Sequence, residues 1–510
     1  MKKFNVIVIL SALLIGCTDL EENPEGILAP ELLSSTVADV QAAVNGAYAN
    51  LAHENYWGRK ISLSILLRSD MCDIGNPSTA GRRQDVNNFN MLANNGMTEA
   101  FWPRSYIVIG AANQAIGIAN GLDVDEAEIN PIIAEAYFVR AFAYYHLVRL
   151  FGDVPYLEDA VSDATTLDVL ERTPEDEVYA NIISDLQFCK EWLPMEQPDR
   201  GKPFSATAMA YLASVYLTIG EYQNAYNEAK AIIDNESGFN LGLETDFQNL
   251  FLGDSEIIES LREPLFTLDF ISQENSGLFG DDLLPPLTGI SGDQTEGRGA
   301  GGGWSVAVPN INVYDRWNGR DYRKRVSFDT VATIAGQNVR FTEFKAADPG
   351  NGAVVDRPHI AKYTRQINAA GSGRFSDNDY VMMRYAEVLF IAAEALNEIT
   401  PGAQEATDNI NRIRERARNF GGTVSDYPPD LPANLSKDQM RDSIIEERRL
   451  ELAFEMKRWY DIKRLQLGPE VFGPQGLEPH ANFDAGRDYL MPLTTTQLNI
   501  NPELGQNPGY

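Results

Sequence analysis

The chain has 510 residues, 44% of them hydrophobic and 10% aromatic, enough for one large domain or two to three ordinary ones. Acidic side chains number 73 against 42 basic ones, giving a net charge of −31. That balance excludes a nucleic-acid surface, which needs cations to neutralise phosphates, and electrostatic docking on anionic lipid.

Lys2 and Lys3 precede an apolar run from Phe4 to Ile15, too short to span a bilayer as a mature helix and readable as a secretory signal. The run ends Leu14-Ile15-Gly16-Cys17, which resembles a bacterial lipobox. By that resemblance residues 1–16 are a lipoprotein signal peptide and Cys17 becomes the acylated first residue. Several acyl chains on one cysteine anchor stably, whereas a single chain binds marginally. An ordinary signal with a chance cysteine is the alternative. Residues 17–35, beginning polar and acidic at Thr18–Glu25, read as a tether. Cys72 and Cys189 show no metal-ligand spacing, leaving either two buried thiols or one disulfide.

Thr36 caps a helix to Ala52 that repeats Val40, Ala43, Val44, Ala47 and Leu51 at helical spacing. Ile61–Leu67 is a second apolar segment. Asp70–Asn95 is polar and irregular, with Arg82, Arg83, Asn87, Asn88 and Asn90; it reads as a loop, where binding residues concentrate. Phe101–Leu122 returns to helix, with Trp102, Tyr106, Ile109 and Asn113 on one side. The central segment is Asn130–Pro155, with Asn130 as N-cap, Pro131 in the first helical position, and Gly152 and Pro155 as the stop. Phe138, Ala141, Tyr145 and Val148 form one stripe, and Tyr137, Phe142, Tyr144 and Phe151 spread the apolar surface around the axis. Such a helix sits inside a protein with other helices on several sides. Thr173-Pro174-Glu175-Asp176 resembles a capping box opening a helix to Trp192.

Ala206–Ile233 carries small residues and a Gly220 turn in the order of one tetratricopeptide unit. Met382–Ala417 repeats the arrangement around Pro401-Gly402. The Trp102 helix and the central helix can pair the same way, as can the central and Tyr179 helices. Four such pairs make a short solenoid, with the helical scaffold in 36–233 and 380–467. Residues 235–379 and 420–436 are loop-rich, with short β-like runs such as Leu265–Ile271. Gly297–Gly303 is followed by Trp304 and lacks the Gly-Lys-Ser/Thr of a phosphate loop. It reads as a mobile loop presenting an aromatic. Ser436 with Gln439 forms a capping box for a last long helix to about Leu467.

Four stretches then combine. Ala134-Glu135-Ala136 runs through Arg140-Ala141 to Leu147-Val148-Arg149-Leu150-Phe151-Gly152-Asp153-Val154-Pro155. Arg384-Tyr385-Ala386-Glu387-Val388-Leu389 is followed by Ala393-Glu394-Ala395-Leu396-Asn397-Glu398. Glu447-Arg448-Arg449 leads to Glu451-Leu452-Ala453-Phe454-Glu455 and Arg458-Trp459-Tyr460-Asp461-Ile462-Lys463-Arg464. The tail runs from Leu490-Met491-Pro492 through Asn501-Pro502 to Gln506-Asn507-Pro508-Gly509-Tyr510. Together they resemble the SusD/RagB family over essentially the whole mature chain. Met456 departs from it, since the family usually has glycine there. The resemblance implies a mainly α, SusD-like fold, with four tetratricopeptide-like helix pairs packed on a loop-rich region with a few short strands. It implies a surface-exposed outer-membrane lipoprotein of Bacteroidota acting as a substrate-binding lid over a SusC-type TonB-dependent transporter. The usual ligands are oligo- or polysaccharides, sometimes peptides or other nutrients, and no catalytic site is implied.

The motif charges Glu135, Arg140, Arg149, Asp153, Glu447, Arg448, Glu455 and Arg458 lie on or near buried helices, so they read as internal ion pairs. Trp102 and Trp459 read as core aromatics. A sugar needs an exposed aromatic face with planar polar partners. The candidates are Asp70, Asp73, Arg82, Arg83, Asn88, Trp304 and Arg365, with Tyr56 and Trp57 as further options; Trp304 is the preferred platform. Against an enzyme, none of His53, His146, His359 and His480 forms His-Glu-x-x-His, and no Gly-x-Ser-x-Gly is present. No cofactor is expected; structural calcium stays open without an Asp-x-Asp-x-Asp-Gly loop. A pure protein adaptor of the transporter is the remaining alternative.

Overall fold

The central helix begins earlier than its proline suggests and runs Glu126–Phe151. Asp125 stands at the N-cap position in extended backbone, Glu126 and Glu128 lie in the first turn, where carboxylates suit the helix dipole, and Pro131 falls inside the helix. At the sixth helical position Pro131 lies past the unpartnered first-turn N–H groups and forfeits one ladder bond, that to the Ala127 carbonyl. Every side chain from Phe138 to Phe151 is buried, which requires neighbours on all sides.

The computed structural model describes residues 36–161, 170–252, 255–270, 282–296, 303–364 and 378–510. Residues 1–16, the tether, Cys17 and Arg365 lie outside these. Val37–Tyr510 clusters as one compact unit. Its helices are α1 (Val37–Leu51), α2 (Lys60–Leu67), α3 (Gly81–Asn87), α4 (Thr98–Asn120), the central α5 (Glu126–Phe151), α6 (Glu175–Trp192), α7 (Ser205–Thr218), α8 (Tyr222–Asp234), α9 (Tyr385–Ile399), α10 (Gln404–Ala417), α11 (Lys437–Glu451) and α12 (Arg458–Arg464), besides shorter turns. They pack as a relay: α1 on α4, α4 on α5, α5 on α6, and onward through α7 and α8 to α9 and α10. Both expected pairings of the central helix are present, and α1/α4, α5/α6, α7/α8 and α9/α10 make four pairs. Among the described residues no helix is long and apolar enough to cross a membrane.

The strands are short and pair in twos: β1 (Cys72–Ile74) with β3 (Ala307–Pro309), β2 (Pro264–Leu268) with β8 (Tyr380–Arg384), β4 (Phe328–Asp329) with β7 (His359–Ile360), and β5 (Val331–Ile334) with β6 (Gln337–Arg340). All are antiparallel. The β2–β8 pair ties the loop-rich region to the start of α9.

Three expectations are corrected. The stretch Asp70–Asn95 is not a continuous loop but contains β1 and α3. The helix from Ser436 keeps its capping box, with Gln439 N donating to Ser436 Oγ at 3.3 Å and Ser436 N to Gln439 Oε1 at 3.0 Å, but it stops at Glu451. There the backbone turns left-handed at Phe454 (φ +66°) and Met456 (φ +60°) before α12, a conformation that breaks a helix and favours glycine. The box expected at Thr173 does not form: Thr173 pairs with Val154 in a β-bridge, and Asp153 Oδ1 accepts from Glu175 N at 2.9 Å instead. Asp153 therefore caps α6 and is not an internal ion-pair member.

Most other motif charges do pair. Arg140 forks onto Asp185 at 2.7 and 2.8 Å, Glu135 meets Lys202 at 2.5 Å, Arg448 meets Asp461 at 3.1 Å, and Arg458 meets Asp70 at 2.8 Å. Five cations (Arg323, Lys362, Arg384, Arg414, Arg416) face five carboxylates (Glu263, Asp321, Glu447, Glu451, Glu455) in one interior network. Arg149 is the exception: its guanidinium carbon sits 3.6 and 3.5 Å from the ring centroids of Tyr145 and Tyr460, a cation–π sandwich rather than an ion pair. Cys72 and Cys189 are free buried thiols, which resolves the open disulfide question.

Candidate functional site

The β1–β3 pairing decides which distant residues meet. Asp73 lies opposite Val308 and Ile74 opposite Ala307. The two chains continue together past the strands: Gly75 N donates to Val306 O at 3.0 Å and Asn76 N to Ser305 O at 2.6 Å. A Cβ on Gly75 would stand 2.4 Å from Ser305 O, so the contact requires glycine. The Asn76 side-chain amide reaches Trp304 O at 3.5 Å. Trp304 is therefore fixed beside the Asp73 turn.

Trp304 itself is held at its backbone, donating to Pro286 O at 2.6 Å. Gly303 before it crosses Gly289 so closely that a Cβ would lie 1.9 Å from the Gly289 carbonyl carbon. The indole is half-buried against the main core. Gly303 and Trp304 are thus a seated corner, not the mobile presentation expected; residues 297–302 lie outside the described residues. The Gly303–Gly289 crossing joins residues distant in the chain, so the glycine run beside Trp304 gives no local sign of it.

Asp73 keeps 34% of its side chain exposed and faces the Arg357 guanidinium at 3.3 Å. Its other oxygen accepts from Ile74 N at 2.7 Å and from the Asn87 amide at 3.3 Å. Arg357 also donates to Pro309 O at 2.8 Å, which locks the guanidinium to β3. Asp73 has a buried acidic neighbour in Glu478, whose carboxyl is pushed well up by burial and by the charges of Asp73 and Asp70. Glu478 Oε1 lies 3.0 Å from His480 Nε2, and burial lowers the His480 pKa.

The sequence candidates therefore divide. Asp73, Arg83 and Trp304 share one neighbourhood, since Arg83 Nη1 donates to Thr79 Oγ1 at 3.0 Å and Thr79 N to Asn76 O at 3.1 Å. Arg82 adjoins them on α3, half-buried, and Asn88 ends that helix with its carbonyl accepting from Asn482 at 3.1 Å. Asp70 is corrected: fully buried, it is consumed by the fork from Arg458 at 2.9 and 2.8 Å. Tyr56 and Trp57 are corrected too, being 0% exposed in the core. Trp102 and Trp459 are core as expected. Sequence reading missed Asn76, Asn87 and Arg357. Arg357 carries no local signal, because its role exists only once β3 and β7 are placed.

Other features serve a ligand less well. A groove of about 590 Å³ beside Tyr314, Lys324 and Phe328 is open, but the Lys324 ammonium lies 4.1 Å from the Tyr314 ring centroid and covers that ring face. A cavity of about 40 Å³ beside His146, Arg149 and Tyr460 has the size of a water site and is too small for a sugar ring. Ser305 Oγ and His359 Nε2 lie 2.8 Å apart, the spacing of a nucleophile and its base. Both residues are 0% exposed, and Ser305 Oγ also accepts from Ser291 N at 2.9 Å, so the pair joins chain segments out of reach of substrate. Among the described residues no cluster of His, Cys, Asp and Glu is placed to hold a metal ion.

Residues 307–510 match a family described as the SusD family, and residues 21–217 match one described as starch-binding, associating with outer membrane. The chain is 54% identical to the SusD-like protein P2 of Formosa agariphila, over 100% of both chains. It is 22% identical to the starch-binding protein SusD of Bacteroides thetaiotaomicron, covering 74% of this chain and 72% of that one. Among solved structures, a SusD homolog from Bacteroides thetaiotaomicron has a TM-score of 0.80 at 20% identity, covering 94% of this chain and 98% of the other. A laminarin-binding SusD-like protein has a TM-score of 0.73 at 22% identity, covering 93% and 99%. These neighbours share the mainly α fold.

Proposed function

We propose, from the premise that this chain belongs to the SusD family, that it is a cell-surface lipoprotein capturing oligo- or polysaccharide for a SusC-type TonB-dependent transporter of the outer membrane. The observation that carries the reading is that the β1–β3 pairing and its continuation bring Trp304, whose indole is only partly buried, into one neighbourhood with the Asp73–Arg357 pair and the Asn76 and Asn87 side chains. A sugar ring offers a C–H face to an indole and hydroxyls to planar polar groups. The names of relatives that bind starch and laminarin support a glycan as ligand. Cys17 is the proposed acylation site, and incorporation of labelled palmitate tests it.

The chain is read as a binder rather than an enzyme, and products shorter than the offered glycan would refute that. Peptide or another nutrient is the second ligand class. A non-binding adaptor predicts capture of the transporter with no affinity for any soluble nutrient. Calorimetry on the body lacking residues 1–17, after a glycan array has selected the ligand, tests the central reading. Trp304→Ala is expected to weaken binding about tenfold or more, and unchanged affinity removes Trp304 from the site.

A further inference from the structure

A group of cations converges at Gly96, at the other end of the 76–83 segment from the Asn76–Trp304 contact. Arg59 precedes α2 and Lys60 is its first residue, while Arg82 and Arg83 lie in the first turn of α3. Gly96 joins them: the Lys60 ammonium reaches Gly96 O at 3.5 Å, and a Cβ on Gly96 would touch Arg82 Cδ at 3.1 Å. Arg59 pairs with Glu54. Among the described residues Lys60, Arg82 and Arg83 form no ion pair of their own, and the Glu54 charge that attracts Lys60 and Arg83 is already paired with Arg59; Lys60 is only 6% and Arg83 only 9% exposed. The Nε atoms of Arg82 and Arg83 are buried without a hydrogen-bond acceptor. Other interior cations are satisfied in different ways: Arg323, Arg384 and Arg416 each meet two or more carboxylates, Arg149 lies between two tyrosine rings, and Arg68 donates to the main-chain carbonyls of Asp488 and Leu490.

Gathering unpaired cations in a recess costs free energy through desolvation and mutual repulsion. Burial and the neighbouring arginines accordingly push Lys60 down to about 8 and Arg83 down to about 10. In a chain of net charge −31, solubility does not call for such a cluster. An incoming anion would relieve it, with two guanidinium forks and one ammonium matching the oxygens of a sulfate or carboxylate.

We propose that the Lys60–Arg82–Arg83 recess receives an anionic substituent, a sulfate ester or a uronate carboxylate, of the captured glycan, so that the ligand is an acidic polysaccharide. This rests on the glycan reading above. Two segments run between the recess and Trp304. One is 76–83, through the Thr79–Asn76 and Asn76–Trp304 contacts. The other is 283–286, where Leu283 N donates to Gly58 O at 2.9 Å and Pro286 O accepts from Trp304 N. One oligosaccharide can therefore meet both. A phospholipid headgroup fits less well, because surface docking uses protruding cations whereas Lys60 and Arg83 are recessed.

The test uses the mature chain carrying Cys17→Ala, which keeps its full length without attached lipid. Oligomers of dextran sulfate, polygalacturonate and dextran, matched in length, are titrated by calorimetry, with laminarin as a neutral glycan. At least one acidic probe is expected to bind about tenfold or more tighter than dextran, with affinity falling as salt rises; which one binds separates sulfate from uronate. Arg82→Gln is expected to remove most of that preference and Arg82→Lys to retain part of it. Equal binding of all three dextran-class and uronate probes, a preference untouched by Arg82→Gln, or binding of anionic vesicles without either acidic oligomer overturns the inference. Laminarin binding in the same series would leave glycan capture standing when the anion preference fails, and no binding of any glycan would defeat both.

Discussion

Arg384 Nη1 lies 2.6 Å from Glu451 Oε1, and the two side chains are 1% and 0% exposed. Each comes from a different family motif, and each has further partners: Glu263 and Glu455 for the arginine, Arg323 and Arg416 for the glutamate. Removing one member strands the others without water. Arg384→Leu or Glu451→Gln is expected to lower unfolding stability by about 3–5 kcal/mol, read as a shift of the urea midpoint. A loss near zero would mean that the interior network contributes no cohesion.

The same network sets the response to acid. Burial alone would raise the Glu451 and Glu455 carboxyls, but Arg416, Arg384, Arg323 and Lys362 outweigh it and hold both below the usual carboxylate range. Asp461 is held low in the same way by Arg448 and Arg464. A carboxyl with a folded pKa below its unfolded one contributes stability that is complete above the unfolded value and fades as pH falls. Melting temperature is therefore expected to hold down to about pH 5 and to fall below about 4.5, the usual glutamate range. Glu451→Gln should flatten part of that slope; an equal slope in both proteins would assign acid loss elsewhere.

These charges were legible before the fold because they sat in recognisable motifs on apolar helices, where an unpaired charge is untenable. The partners were not legible. Asp70 looked like a loop acid until Arg458 was seen against it, and Tyr56 and Trp57 looked like free aromatics until α5 covered them, with Trp57 5.7 Å from Phe142. Helix pairs followed from local periodicity, whereas the meeting of Asp73 with Trp304 depends on a three-residue strand pair that no local pattern announces. Arg82 and Arg83 stood out in the polar stretch after Asp70, but their convergence with Lys60 at Gly96 did not.

Met456 was noted as standing where the family usually has glycine, and its backbone is left-handed, φ +60°. The side chain is nevertheless 5% exposed and contacts the core, so truncation should cost stability, as buried methionines do at about 2–5 kcal/mol. The order of two truncations is the sharper expectation. In a right-handed helix alanine beats glycine by about 1 kcal/mol, but at this φ the penalty on any Cβ reverses the order. Met456→Gly is expected to unfold at higher urea than Met456→Ala, by about 1 kcal/mol. The opposite order would show that the site relaxes to a right-handed conformation.

Lys60 offers a test in which loss of a charge should strengthen the fold. Burial first, then Arg59, Arg82 and Arg83, push its pKa down to about 8, with Glu54 opposing. At pH 7 the folded chain thus carries an ammonium in a place that disfavours it. Lys60→Met keeps an apolar chain in the same space and is expected to raise stability at pH 7 by about 1–3 kcal/mol, as other replacements of buried charge do. The sign with pH follows from linkage: between about pH 8 and the unfolded lysine value near 10.4, the unfolded chain binds more protons, so the stability of the unmodified protein rises across that window. Lys362 and Lys463 are also pushed down to about 8 and contribute equally to both proteins, so the difference between them isolates Lys60. That difference should be largest at pH 7 and shrink toward pH 10 in urea titrations. A Lys60→Met protein less stable than its parent at pH 7 would mean that the ammonium is satisfied where it stands, and that the recess carries no strain for an anion to relieve.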